Sequence, residues 1–348
     1  MNNQFIIDID APILITGSNG FLGSKVVETL LQYGYRNLRC FVRPTSDLDR
    51  LKDVIRSSNN NIEIVTGNLL SREDCKRSAR GVSIIFHLAA GIDKSFPDAF
   101  MNSVVTTRNL LDAIVEENVL KRFINVSSFA VYTNRNLMRG GELDEDCEID
   151  SEALQRHESY CYGKIKQDKI VEEYSRKHKI PYVIVRPGAV FGPGKKNISG
   201  RVGIDTFGIF LHIGGSNKIP LTYVDNCADA IVLAGLTLNV DGEVFNIVDD
   251  NLPSSRKFLK MFKKNVKNFK SIYVPYWLFY WMSLIWEKYS SWSRGQLPPA
   301  FNRNRCSTYY KGNKYSNKKL KHLLHWYPKV SMEEALNRYF RYQRDCEE

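Results

Sequence analysis

The 348-residue chain is short of several features that would each fix a protein class. None of its seven cysteines (Cys40, Cys75, Cys147, Cys161, Cys227, Cys306, Cys346) stands in a CxxC pair, and their number is odd. That excludes a disulfide scaffold and a cysteine zinc site, and reads as reduced thiols in a cytoplasmic protein with no bound metal. The opening MNNQFIIDIDAP has no basic patch and carries two aspartates, so it does not read as a signal peptide. The uncharged run from Ile272 to Trp286 is 15 residues and contains Pro275 and Ser283, whereas a spanning helix needs about 20 apolar residues. There is no internal repeat, no low-complexity linker and no basic-aromatic motif of the nucleic-acid modules, so a nucleic-acid partner is not expected.

Hydrophobic residues make up 43% of the chain and charged residues 25%, an ordinary globular balance. Lysine plus arginine exceed the acids by 49 to 38, giving +11, with much of the surplus beyond residue 250. A positive balance of this kind favours anionic small molecules, such as a phosphorylated cofactor, or an acidic membrane surface.

Short apolar runs recur through the first two thirds: PILIT at 12, LRCFVR at 38, IEIVT at 62, VSIIF at 82, RFINV at 122, YVIV at 182 and VFNIV at 244. They are β-branched and nearly continuous rather than alternating, the mark of strands buried on both faces of a parallel sheet. Helical patterns lie between them, including Val26, Val27, Leu30 and Leu31 on one face, a capping box at Ser71 and Asp74, and Leu110, Leu111 and Ile114. Strand and helix in alternation predict an α/β fold, a doubly wound, mostly parallel Rossmann sheet of about seven strands. Residues 191–223 read as glycine-rich loop, and basic helices alternate with aromatic stretches after 250. The expected division is a dinucleotide-binding domain from 1–186 and 224–250, with a smaller substrate domain from 187–223 and 251–348.

Residues 12–23 read PILITGSNGFLG. Gly17, Gly20 and Gly23 follow a strand and open a helix. Glycine permits the tight turn and close backbone approach to a pyrophosphate, while the helix N-terminus offers free N–H groups. Asn19, Phe21 and Leu22 share this turn and are expected at the cofactor. About 20 residues beyond, an acid would hold the ribose of NAD; Arg43 stands there instead and suits a 2′-phosphate. NADP(H) is therefore favoured, with NAD(H) as the alternative.

The segment Glu158 to Lys164 contains YxxxK at Tyr160 and Lys164, one face of a helix. A tyrosine near pKa 10 is a poor proton carrier at neutral pH, and a neighbouring ammonium would bring it toward the working range. Tyr162 points elsewhere. Ser128, just past the strand at 122–126, sits where α/β sheets bind ligands and is expected to hydrogen-bond the reacting oxygen.

With TGSNGFLG, FHLAA at 86–90, VSSFAVY, YCYGK, RPGAVFGPG at 186–194 and TYVDNCADAI at 222–231, the chain resembles the extended short-chain dehydrogenase/reductase superfamily and its NAD-dependent epimerase/dehydratase family. The resemblance covers about residues 10–250. It implies Ser128, Tyr160 and Lys164 as a catalytic triad, with Lys164 also holding the nicotinamide ribose. It implies Leu88, Ala89 and Ala90 along the cofactor, and Pro187 to Val190 near the nicotinamide. Three motifs depart from the pattern. Asn68, before Leu69, replaces the aspartate that holds adenine; Ser103 and Thr106 replace Asn and Gly in the helix motif; and RPGA replaces RYFN of the nucleotide-sugar members.

That last departure resembles the 3-beta-hydroxysteroid dehydrogenase and dihydroflavonol-reductase side, which implies a secondary alcohol or ketone as substrate. A nucleotide-sugar epimerase or dehydratase that retains its cofactor is the alternative, with Arg294, Arg303 and Arg305 for a diphosphate. A non-catalytic dinucleotide-binding protein is a third reading. The basic helix from Arg256 to Lys270 reads as a solvated face, and the aromatic segment from Tyr273 to Trp292 as small-domain core. The alternatives are an apolar pocket lined by the aromatic segment and, for both stretches, a weak contact with a membrane surface. A homodimer is compatible with the sequence.

Overall fold

The computed structural model describes residues 5–58, 62–91, 95–195, 200–206, 208–293, 296–297 and 301–347. Seven strands form one parallel sheet: β1 (Ile13–Thr16), β2 (Leu38–Val42), β3 (Ile62–Thr66), β4 (Ile84–His87), β5 (Arg122–Val126), β6 (Tyr182–Pro187) and β7 (Val244–Ile247). Their order across the sheet is β7-β6-β5-β4-β1-β2-β3. The chain winds outward from β1 in both directions, so β1 and β4 flank the point where strand order reverses. Ligands bind outside the carboxyl ends of the strands there. The fold is the doubly wound α/β architecture expected from the alternating pattern.

Because side chains alternate along a strand, Ile13 and Ile15 pack on one face of the sheet and Leu14 on the other. The first face is covered by Val26, Val27 and Leu30 of the Phe21–Gln32 helix and by Ile231 and Val232 of the Val224–Leu236 helix. The second is covered by Leu110, Leu111 and Ile114 and by Ile170 and Val171. Ser71 caps its helix as the sequence predicts, its Oγ accepting Asp74 N–H at 3.2 Å.

Two expectations need correction. β3 is not buried on both faces: it is the edge strand, and Glu63, Ile64 and Thr66 are exposed, with only Val65 buried. Residues 191–223 are not loop throughout. They hold strands Gly203–Thr206, Ile209–His212 and Leu221–Tyr223. Ile209–His212 pairs antiparallel with Gly203–Thr206 and parallel with Ser271–Tyr273. Beyond residue 250, Phe258, Phe262, Tyr339 and Phe340 gather with Phe191 and Tyr223 into an aromatic core beside the mouth of the main sheet.

Candidate active site

The turn after β1 is shaped by what cannot fit in it. Gly17 adopts φ +70°, and a Cβ there would lie 3.0 Å from Ala89 N. A Cβ on Gly23 would lie 2.0 Å from Gly17 O, which forces glycine where helix crosses strand. The N-cap of the Phe21–Gln32 helix is Gly20, which supplies no side-chain cap bond. The first-turn N–H groups and the positive helix end therefore face the cleft without a capping side chain, a fit for a pyrophosphate.

That cleft has a volume of about 610 Å³. It is lined by Gly17, Gly20, Phe21, Leu22, Gly23, Leu88, Ala90, Pro187 and Val190, together with Ser128, Tyr160 and Lys164. Twelve of the residues singled out from the sequence thus meet at the carboxyl ends of β1, β4, β5 and β6. Five do not line it. Ala89 lies in the wall, its N–H donating to Thr16 Oγ1 at 3.3 Å. Asn19 turns outward and donates to Asp47 O at 3.0 Å. Asn68 Oδ1 accepts Leu70 N–H at 3.0 Å, a local turn bond, while Leu69 is buried. Arg43 is exposed at the end of β2.

β5 ends at Val126, and the chain then delivers Ser128, whose Oγ accepts Ala130 N–H at 3.2 Å. The Ser159–His178 helix carries Tyr160 and Lys164 one turn apart. The Ser128 and Tyr160 side chains are neighbours in the cleft. Tyr162 packs edge-on against Phe96 at 5.6 Å, away from the cleft. Burial pushes the Tyr160 phenol up to about 12, opposed by the Ser128 hydroxyl. Burial also pushes the Lys164 ammonium down to about 8, with Asp168 opposing. Lys164 Nζ donates to Val126 O at 2.5 Å and to Gln167 Oε1 at 2.9 Å. It therefore stands in the site, but its hydrogen bonds go to the sheet and to Gln167, and the lowering of the tyrosine expected from sequence is not expressed in this arrangement.

A profile of the NAD dependent epimerase/dehydratase family matches residues 13–247. The chain belongs to this family. It is an NAD(P)-dependent enzyme of the extended short-chain dehydrogenase/reductase type. Sterol-4-alpha-carboxylate 3-dehydrogenase, decarboxylating, of Mus musculus is 25% identical over 341 residues, covering 93% of this chain and 88% of that protein. Cinnamoyl-CoA reductase 1 of Petunia hybrida is 26% identical over 184 residues, 52% of this chain and 55% of that protein's length. Among solved structures, UDP-glucuronic acid 4-epimerase of Bacillus cereus, with UDP-glucuronic acid and NAD bound, superimposes with a TM-score of 0.72 at 22% identity, over 96% of this chain and 99% of that one. This last likeness is one of fold.

Sequence reasoning missed a buried polar chain behind this epimerase/dehydratase-family site. Gln167 Nε2 donates to Thr107 Oγ1 at 2.9 Å, and Thr107 Oγ1 donates to Ser103 O at 2.5 Å. His87, fully buried, lies 2.9 Å from Thr107 Oγ1 through Nε2 and 2.8 Å from Thr16 Oγ1 through Nδ1. Burial first, then the nearby Lys164 charge, pushes His87 down to about 3, so it is neutral. Thr107 has one proton and gives it to Ser103, so His87 Nε2 must be the donor to Thr107 and Nδ1 the acceptor from Thr16. His87 sat inside the quoted FHLAA run, and Gln167 stands three residues past Lys164 on the same helical face. The cations Lys195 and Arg201 also line the cleft and were not singled out.

Proposed function

We propose that this enzyme moves hydride between NAD(P) and a secondary alcohol or ketone carried on a largely apolar molecule. The observation that carries this reading is a second cavity of about 230 Å³ beside the reaction end of the cleft. Gly200 and Tyr309 line both spaces, and the second is walled by Ile204, Phe279, Phe301 and Tyr310. Burying an apolar body there is favourable at about 25 cal/mol per Å² removed from water. The sterol dehydrogenase relative, named for a 3-dehydrogenase reaction on a sterol, supports the same substrate class.

Nicotinamide, when bound, gives or takes the hydride. The chain's own groups handle the proton. Tyr160 O–H donates to, or recovers a proton from, the substrate oxygen, and Ser128 O–H hydrogen-bonds the same atom. Lys164, swung from Val126 O toward the phenol and the ribose, brings Tyr160 down from about 12 and helps hold the cofactor. Arg43 favours NADP(H).

A second reading, a nucleotide-sugar epimerase or dehydratase, is favoured by Lys195 and Arg201 in the cleft, cations that suit a diphosphate. Against it, Arg303 is engaged by Glu287 at 3.0 Å and Arg305 by Glu158 at 3.1 Å, while Arg294 lies outside the described residues. The deciding experiment offers the purified protein hydroxysterols, aryl ketones and UDP-sugars with each dinucleotide. Net formation or loss of reduced nicotinamide with the apolar alcohols or ketones is expected. Conversion of a UDP-sugar without net change in nicotinamide overturns the proposal in favour of the second reading.

A further inference from the structure

The helix Tyr276–Trp292 leaves an apolar stripe uncovered. Trp277, Trp281, Ile285 and Trp292 are 64%, 57%, 67% and 77% exposed, and Leu278 and Met282 are exposed beside them. Spacings of four, four and seven residues put these side chains on one face of an α-helix. The opposite face accounts for the helix's place in the fold. Phe279 packs against Phe301 and Tyr310, at ring separations of 5.9 and 5.7 Å, and Ser283 Oγ donates to Phe279 O at 2.8 Å. The aromatic segment is thus core on one side only, which corrects its reading as small-domain interior. Single exposed apolar residues are ordinary, whereas a contiguous stripe of this size marks an interaction surface.

Charge identifies the partner. Between residues 256 and 270 there are seven Lys or Arg and no acid. This basic stretch adjoins the aromatic one: the Arg256 guanidinium lies 5.4 Å from the Tyr273 ring, and Ile272 and Tyr273 are both exposed. Lys267 pairs with Glu347, but Lys257, Lys260, Lys264 and Lys270 are exposed. Within the aromatic helix the single acid, Glu287, is matched by Arg303 at 3.0 Å. Tryptophan settles at the headgroup level of a bilayer, where its ring is half in apolar surroundings, and neighbouring cations are drawn to anionic lipid. A second copy of this chain is a poorer occupant, because a two-fold contact would bring two such cationic stretches together.

We propose that the Tyr276–Trp292 helix docks in the plane of an anionic membrane surface, flanked by the cations of residues 256–270. No helix among the described residues is long and apolar enough to cross a membrane, so the contact is interfacial. The helix's inner side chains Phe279 and Ser283 wall the smaller apolar cavity, which places that cavity one helix away from the lipid. The docking itself does not depend on the substrate proposed above.

The test is co-sedimentation of the full chain with phosphatidylcholine vesicles and with equimolar phosphatidylcholine–phosphatidylserine vesicles, at low and high salt, with tryptophan emission recorded alongside. Binding to the anionic vesicles with a blue shift, weakened by salt, is expected. A cation near an anionic surface strengthens binding by about fivefold, so Lys257→Glu/Lys260→Glu/Lys264→Glu should weaken it at least about a hundredfold. Trp277→Ser/Trp281→Ser/Ile285→Ser should abolish the shift and most of the binding. Unchanged dinucleotide affinity in both variants shows that each has folded. Absence of binding at low salt overturns the proposal, as does equal binding to neutral vesicles or full binding by the aromatic variant. A dimer that the aromatic variant dissociates, with no vesicle binding, assigns the face to a second copy instead.

Discussion

At the residue scale, the proposed chemistry turns on two groups that burial pushes in opposite directions. Tyr160 stays protonated over a wide pH range, and Lys164 loses its proton unusually easily. Tyr160→Phe keeps the ring and removes the proton, so turnover should fall by about 10²–10⁴-fold with dinucleotide affinity nearly constant. Tyr162→Phe, packed against Phe96, is the control. Activity surviving in the first variant and lost in the second would refute the assignment. Gln167 acts one step back, as a positioning residue that accepts from Lys164. Replacing it by Met deletes a hydrogen bond to a charged group, worth about 1.5–3 kcal/mol. The ammonium should then deprotonate at lower pH, shifting the alkaline limb of kcat/KM down by about one to two pH units. An unmoved limb would leave Gln167 a packing residue. Arg43→Ala should cost about tenfold or more in NADPH affinity and little in NADH affinity, as titration of both will report. Equal losses would remove Arg43 from cofactor choice.

At the scale of elements, the Ser159–His178 helix lays Tyr160, Lys164, Gln167 and Asp168 along one stripe, and that stripe faces inward. Its last member anchors the strand ends. Asp168 accepts from Asn125 Nδ2 at 2.7 Å, Ser127 Oγ at 2.8 Å and Arg186 Nη2 at 3.3 Å. Burial outweighs these partners and pushes its carboxyl up. Asp168→Ala would strand a buried guanidinium, so it should destabilise by about 3–5 kcal/mol in denaturant unfolding. A loss below about 1 kcal/mol would show that water enters and replaces the acid. These buried partners explain what was legible in the sequence. Strands such as ILIT and RFINV announce themselves because every residue is apolar or β-branched, and the glycine turn because only glycine fits. The cluster does not, since Ser127 and Asp168 are 41 positions apart and Thr16 and His87 are 71 apart. Only the fold brings them within hydrogen-bond distance. The edge exposure of β3 was hidden for a related reason: IEIVT reads the same in the middle of a sheet and at its edge.

At the scale of the whole molecule, one carboxyl joins three distant segments and should give the folded state a distinct pH dependence. Asp249 follows β7, and its Oδ2 accepts Tyr223 N–H at 2.9 Å and Asn226 Nδ2 at 3.2 Å. Asn226 in turn holds the C-terminal segment, donating to Val330 O at 2.8 Å and accepting Val330 N–H at 3.0 Å. Asp249 Oδ1 is buried with no hydrogen-bond partner among the described residues. Burial pushes the carboxyl up to about 7, against the two hydrogen bonds that favour its charge. Unfolded, the same group titrates near the ordinary value of about 3.9. The folded chain therefore binds a proton that the unfolded chain has released between about pH 4 and 7. By linkage, the contribution is full below that window and is lost as pH rises through it. Asp249→Asn keeps the shape and the acceptor but removes the charge. It should be more stable than the parent at pH 8, by about 2–4 kcal/mol, with the gap closing as pH falls toward 4. Urea unfolding of both proteins across pH 4 to 8 measures that gap directly. Parallel curves would mean that Asp249 stays ionised in the fold, held by Tyr223 and Asn226 more strongly than its burial opposes.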